Sequence, residues 1–512
     1  MILQKKITLS ALIFLFSFLV SCTEESVDQR NGTTGIIKFS FGTEPGLEHY
    51  QFVIQPNSQE DSNSYVIQNI DSLPKGTDVT SLKASFQSIN SLVTVKINGI
   101  EQVSGVTENN FTYPVMYEAY AENGNMRKYK VIVNVAETDV VAEKYIFINQ
   151  STFSEDEVKE ISNYFGGQLN KKVAVGLGVI ISLLNDKSEN ITNKLCSQLM
   201  LSEKYNLPIC VKLDTEIWWE YRSDLWNWWD QEKPGYNQDN RDNVEWTDWN
   251  HDSAIKIGWL NWGRQIRMVP FPNLMSPKYK EAWRTELTKN IKVIKNWYEK
   301  LPSEKKDLFG GIVLGWESSI GVNVFHYPNG NSYLGQPESN DPTYGKTMTE
   351  LPSRGVQTIG YASVKSAGIA NSGILTEQMQ TEVIRLHLED LTKTAFELGI
   401  ERKMIFSHSG GWVEGESLFT AAINEYSCPG WSFYNYAFNP KDDLTAMNAL
   451  SKSDAPYWGV VEWLFQGDNT INNWYFALNN SLAGNSRMVV IYNWNNINTN
   501  DNALSAIKEI NK

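Results

Sequence analysis

Two glutamates have the types and positions to do chemistry together. Glu317 closes the apolar run Gly310-Gly-Ile-Val-Leu-Gly-Trp-Glu317, and Glu462 closes Tyr457-Trp-Gly-Val-Val-Glu462. Short apolar runs of this kind read as buried strands. Each would carry a carboxyl at its C-terminal end. Two carboxyls facing each other suit glycosidic bond cleavage: one protonates the leaving oxygen, and the other attacks the sugar or activates a water. A lone Glu at a strand end can equally serve as a structural ion-pair partner. Two at matching places favour the chemical use.

Something must hold the pair face to face. From about residue 143 the chain alternates strand-like and helix-like segments. Strand candidates are 144–148, 173–184, 208–213, 310–317, 403–407, 430–434, 457–462 and 488–492. Between or after them lie helical segments at 154–168, 189–205, 277–301, 376–398, 415–426, 443–451, 470–481 and 502–510. Strands joined through helices demand a parallel sheet. Eight such units over residues 143–512 predict an α/β (β/α)8 TIM barrel. Glu317 and Glu462 then end the fourth and seventh strands, at the face where such barrels do their chemistry. The rival is an open doubly wound sheet, but no Gly-rich phosphate loop follows the first strand.

Two connections are too long to be plain linkers: residues 214–273 after the third strand and 318–372 after the fourth. The first holds nine of the chain's 18 Trp, from Trp218 and Trp219 to Trp262, interleaved with Asp214, Glu216, Glu220, Arg222 and Asp224. Flat apolar rings beside hydrogen-bonding groups fit the faces of a sugar, although several of these Trp must pack the loop itself. Asp214, Glu216, Trp218, Trp219 and Trp316 are therefore candidate substrate contacts. Trp463, just past the end of the seventh strand, joins them. No calcium-loop spacing or zinc-type His pair is present, so no metal or cofactor is expected. No Gly-x-Ser-x-Gly nucleophile elbow surrounds Ser409.

Residues 36–137 differ in character, with short alternating runs separated by turn residues. This predicts an all-β sandwich. With 512 residues and 41% hydrophobic content the chain can bury two cores. A net charge of −14 without a basic face excludes a nucleic-acid partner. At the N-terminus, Lys5 and Lys6 precede an apolar run over 7–20, which reads as a signal peptide. Residues 22–35 read as a flexible tether. Cys196, Cys210 and Cys428 are odd in number, and no disulfide framework is expected. Cys196 and Cys210 read as buried small hydrophobes.

Three resemblances add to this. Leu19-Val-Ser-Cys22 and the following Thr23-Glu-Glu25 resemble the lipobox of bacterial lipoproteins and the acidic surface-export signal of Bacteroidetes lipoproteins, which implies lipidation of Cys22, an outer-membrane anchor and surface exposure. The alternative is an ordinary secreted protein. The stretch over 75–131 resembles cadherin-like or immunoglobulin-like modules of Bacteroidetes lipoproteins, which act mostly as spacers; glycan binding is the sharper alternative. The barrel resembles clan A of the glycoside hydrolases, retaining enzymes with an acid/base Glu on strand 4 and a nucleophile Glu on strand 7. That implies acid/base Glu317 and nucleophile Glu462, with a carbohydrate substrate. The clan often has a His or Tyr near the ends of strands 5 and 6 and a Trp ending strand 8, which implies further substrate contacts at His408, Tyr434, Tyr436 and Trp494; His408 has a plainer reading as a satisfied core histidine. The clan's usual Asn before the acid/base is here Trp316, so an inverting mechanism stays open. A barrel that binds glycan without cleaving it is the alternative function. A carboxyl separation beyond the catalytic range, or either Glu buried against Arg, would favour it. Sugar, linkage and oligomeric state are left open.

Overall fold

The computed structural model describes residues 31–511, except 49, 58–61, 75, 136–141, 263, 322, 342, 347–355 and 411–412. Cys22 and the signal-peptide expectation lie outside the described residues. The chain forms two compact units, dividing between Val135 and Ala136.

The N-terminal unit is all-β. A six-stranded sheet runs in the order Phe52–Pro56, Ser64–Asn69, Met126–Ile132, Val115–Tyr120, Thr94–Ile97, Ile100–Glu101. Two further pairs are Ile36–Ser40 with Ser85–Ser88, and Leu82–Lys83 with Glu108–Asn109. Period-two alternation buries Tyr117, Ala119, Tyr129 and Val131 on one face. Phe39 of the smaller sheet meets Tyr117 edge-on at 5.7 Å. The all-β expectation holds. The pairing gives three separate sheets around one core.

The second unit is a closed parallel barrel of eight strands in sequence order. They are β1 (Lys144–Asn149), β2 (Val173–Ser182), β3 (Ile209–Asp214), β4 (Phe309–Ser318), β5 (Ile405–Ser409), β6 (Cys428–Phe433), β7 (Trp458–Trp463) and β8 (Ser486–Ile491). Each falls on an expected apolar run. Helices α1 (Glu155–Phe165), α2 (Ser188–Tyr205), α3 (Pro277–Lys300), α4 (Glu377–Glu397), α5 (Leu444–Leu450), α6 (Ile471–Ser481) and α7 (Asp501–Ile510) lie between or after them. Ser154, Thr376, Thr470 and Asn500 cap four of these with side-chain oxygens. After β5 the expected α-helix is instead the 3-10 helix Val413–Ala422.

The two faces of each strand do different work. Val211 and Leu213 of β3 join the large core under the helices, whereas Cys210 joins an inner cluster with Tyr145, Phe147, Val313, Phe406, Val461 and Val490. The inner cluster fills the barrel from below. Phe147 needs a Gly on the facing strand, because a Cβ at Gly310 would overlap its ring. The long connections form a three-stranded sheet of Gln265–Met268, Gly258–Asn261 and Val324–Phe325, with short helices at Ser223–Trp226 and Tyr361–Ser366. Cys210 and Cys428 are buried as free thiols, while Cys196 is only half-buried, against expectation.

Each unit has its own buried core, and separate cores can fold separately. Removal of residues 1–135 should leave a barrel that melts in a single cooperative transition by calorimetry. An insoluble or non-cooperative product would show that the N-terminal unit completes the barrel's core.

Candidate active site

The two glutamates reach the inner wall by different backbone devices. Glu317 ends β4 across a bulge: the register with β5 slips between Leu314 and Ser318. Gly315 and Glu317 both take positive φ there, +85° and +53°. Left-handed backbone is uncommon for a residue with a Cβ and costs about 1–2 kcal/mol. The surrounding ladder must enforce it. On β7, Trp431 pairs with Val460, but Ser432 pairs with Glu462, so one residue is skipped. Val461 already belongs to the inner cluster. Plain alternation would turn Glu462 outward, and the bulge brings it back inside.

The carboxyls meet at one hydroxyl. Tyr434, just past β6, lies with its OH 3.1 Å from Glu317 Oε1 and 3.1 Å from Glu462 Oε1. The two carboxyl oxygens are thus within twice that distance of each other. Ser432 Oγ donates to Glu317 Oε1 at 2.6 Å. His408 Nε2 lies 2.8 Å from Ser432 Oγ. Since the serine spends its proton on Glu317, His408 is inferred to donate from Nε2. On the far side, Lys212 Nζ donates to Glu462 Oε2 at 2.5 Å. Glu317 and Glu462 are 3% and 2% exposed, so this chain of bonds is shielded from bulk water.

Proton counting separates the two acids. Tyr434 has one proton and can donate to one carboxylate only. The other contact needs a proton on the carboxyl. Burial, and then the charge of Glu462, push Glu317 up to about 8. Burial, and then Lys212, push His408 well below its usual range, so it is neutral. Burial and the two glutamates raise the Tyr434 phenol well above its usual value.

Three comparisons bear on the whole chain. A family model described as "Domain of unknown function (DUF6242) N-terminal domain" matches residues 26–133. No curated protein matches the chain. Similar solved structures include a family 5 xyloglucanase from Paenibacillus pabuli, at 8% identity and TM-score 0.34, covering 73% of this chain and 99% of that one. A Bacteroidetes-affiliated GH5 cellulase matches at 8% identity and TM-score 0.33, covering 72% and 91%. The catalytic domain of the Bacillus sp. JAMB-750 GH26 endo-beta-1,4-mannanase matches at 11% identity and TM-score 0.33, covering 72% and 85%. By their descriptions, all three are glycoside hydrolases. The barrel stands on its own strand pairing.

Of the other expected contacts, His408 and Tyr434 belong to the bonded chain around the pair. Trp316 is half-buried and stands directly before Glu317; its ring lies 5.1 Å from that of Trp262, which meets Trp218 at 6.3 Å. The indole N–H groups of Trp316 and Trp262 are buried without a protein partner. Tyr436 is 40% exposed.

Several expectations need correction. Trp219, Trp463 and Trp494 face away from the barrel interior. Their rings meet Tyr279 of α3, Trp474 of α6 and Tyr164 of α1, and their indole N–H groups bond Pro270 O, Ala437 O and Glu160 Oε2. Trp463 follows an inward Glu462, so alternation sends it out. Asp214 is occupied as a loop anchor, accepting from the backbone N–H groups of Glu216, Ile217 and Trp218. Burial pushes it up to about 6. Glu216 accepts from Ser318 Oγ. His387 Nε2 lies 3.2 Å from Glu216 Oε1 without the alignment of a hydrogen bond.

Sequence reading missed Lys212, Ser432 and Asn149. Lys212 and Ser432 sit inside apolar strands, two residues from other inward positions. That spacing was the available signal. Asn149 ends β1, 1% exposed, and neither polar atom of its amide has a protein partner. Such a group at the mouth is suited to a ligand hydroxyl or a water. Among the described residues no cluster of His, Cys, Asp or Glu could hold a metal.

A carboxyl whose folded-state pKa is raised binds more protons folded than unfolded. Its stabilising contribution is full below the unfolded value and is lost as pH rises through the folded one. For Glu317 that window runs from about 4.5 to about 8. Asp214 and Glu245, pushed up to about 6 and about 7 by burial, act in the same direction. Thermal melts should therefore show Tm falling across this window in the parent and falling less in Glu317→Gln. Equal slopes would remove the protonated state from Glu317.

Proposed function

We propose that the protein is a glycoside hydrolase with acid/base Glu317 and nucleophile Glu462, acting by retention. The observation that carries this is the single Tyr434 hydroxyl held 3.1 Å from both carboxyls at the ends of β4 and β7. It favours retention, because one hydroxyl that reaches both carboxyls holds them close together, as the roughly 5–5.5 Å of retaining pairs requires, rather than apart by the roughly 6.5–9.5 Å that leaves room for a water.

In the first step Glu462 bonds to the anomeric carbon as the bond to the leaving oxygen breaks, and Glu317 gives that oxygen its proton. In the second, Glu317 takes a proton from water. The water oxygen bonds to the anomeric carbon, and the bond to Glu462 breaks. Tyr434 stays within reach of both carboxyls, so it can follow the charge from one to the other. Trp316, with Trp262 and Trp218 behind it, offers the sugar a flat apolar face. The half-exposed Tyr436 and Tyr492 supply further aromatic surface.

A second reading has its own support. Glu462 is deeply buried against a cation, Lys212 rather than Arg, as in a barrel that holds glycan without cleaving it. Two variants decide between them on a panel of aryl glycosides and polysaccharides. Glu462→Gln should lose at least about 1,000-fold in kcat with glycan binding and fold retained. Glu317→Ala should lose about 100- to 10,000-fold on natural substrates and much less on activated aryl glycosides, with azide restoring turnover. Equal losses on both substrate types without azide rescue would reject the acid/base role. A parent protein that binds glycan and cleaves none would establish the second reading.

We also propose a lipid anchor at Cys22 that holds the protein at the outer membrane, with the N-terminal unit as spacer. Support comes from the lipobox-like residues before Cys22. Cys22→Ser should move the protein from the membrane to the soluble fraction in cell fractionation. Retention on the membrane would exclude this anchor.

A further inference from the structure

We propose that Lys212 is a positioning residue: its ammonium fixes the buried negative charge on Glu462 and so leaves the shared proton to Glu317. The proposal rests on the acid/base and nucleophile assignment above and gives that assignment its cause.

The two glutamates are otherwise nearly matched. Both are buried, and each lies 3.1 Å from the same tyrosine oxygen. Left alone, two carboxyls this close share one proton with no built-in preference. Their remaining partners break the tie. Glu317 receives a neutral hydroxyl, Ser432, backed by a neutral His408. Glu462 receives the Lys212 ammonium at 2.5 Å, with both side chains almost fully buried.

Every element around Glu462 can be checked for a competing charge. β3 presents Lys212 and, two residues before it, the neutral thiol of Cys210, raised by burial to about 12. β4 presents Glu317 and β5 His408. The segment after β6 presents Tyr434, and the one after β8 Tyr492, a phenol raised by burial and by both glutamates. Asp214, next inward on β3, spends its oxygens on three backbone N–H groups. Among the described residues facing the pair, one cation therefore stands against two acids whose oxygens are not already held by backbone N–H groups. One acid ionises and the other keeps its proton. Proximity decides which.

Burying a lysine is costly, and a buried ion pair recovers that cost only with good geometry. Such a pair is poor evidence for a gain in stability, so its use lies elsewhere. Lys212 also keeps the charge count constant through turnover. When Glu462 bonds to the sugar it loses its charge, and Glu317, having given up its proton, becomes the anion. One positive and one negative charge remain in the site throughout.

The test compares Lys212→Met with Lys212→Arg by 13C NMR of carboxyl-labelled glutamate, assigned with Glu317→Gln and Glu462→Gln. In Lys212→Met the Glu462 13C signal at neutral pH should move from the carboxylate position toward the protonated one, as the shared proton loses its preference for Glu317. Lys212→Arg, which keeps the charge, should move it by less than half as much. The acidic limb of the kcat/KM profile should shift upward with the signal, which a packing defect alone would not cause. A folded Lys212→Met with an unmoved Glu462 signal would overturn the proposal. Should the Met variant fail to fold, the parent decides. Its Lys212 side-chain 15N resonance should step at the pH where the Glu462 signal does, and the step should vanish in Glu462→Gln; no step overturns the proposal. The spectroscopic arms need no substrate. A protein that cleaves no glycoside but shows these shifts keeps the role of Lys212 and loses the hydrolase reading.

Discussion

A charge taken out of water must be matched, and in this barrel the matching is local. Two carboxyls, one ammonium, one imidazole and one phenol line the inner wall with almost no access to solvent. Isolated ions cannot persist in such a place, because desolvation would cost more than folding can supply. The cluster is tolerable only as a connected set, in which a hydrogen bond or ion pair links each member to the next, from His408 through Ser432, Glu317, Tyr434 and Glu462 to Lys212. The barrel exists around this condition. Five different strands, or the residues just past them, must deliver six groups to one place, the end of β6 supplying both Ser432 and Tyr434, and a closed parallel sheet is an architecture that brings five strand ends together.

The strands were legible because they are buried on both faces. Such strands read as continuous apolar runs, and all eight were visible without periodicity. The carboxyls were legible because they interrupt the ends of those runs. What could not be seen is how the ends turn. Glu462 looks like a simple terminal residue in Val460-Val-Glu462, yet alternation would aim it outward. Nothing in the residue types announces the bulge. Lys212 was hidden for the opposite reason. A lysine within an apolar strand has no meaning until the strand across the barrel supplies its partner, 250 residues later. Trp494 and Trp463 misled because their nearness in sequence to the strand ends suggested the mouth, while strand alternation and the helix layer claimed them.

The tryptophan-rich connection divides its rings between two tasks. Trp219, Trp246 and Trp259 are buried, and each indole N–H has a protein acceptor: Pro270 O, Arg241 O and Asp341 Oδ2. They give a long excursion the core it needs to hold a shape. Trp262 keeps an unpartnered indole N–H and lays its ring against that of Trp316, the β4 residue directly before Glu317. Composition alone cannot make this division. It follows from which rings find acceptors, and that depends on the path of the loop.

The skipped residue in β7 has an evolutionary meaning. Because side chains along a strand alternate with a period of two, no substitution at position 462 can move a side chain from the helix side to the inside. Adding one residue to the strand can. A barrel with an ordinary, outward-facing acid near that strand end stands one codon insertion away from presenting it to the interior, and one deletion reverses the step. Families built on such a bulge should gain and lose their chemistry in abrupt jumps of chain length rather than by gradual exchange of residues, and an alignment that closes the gap at this point would pair an inner wall with an outer one.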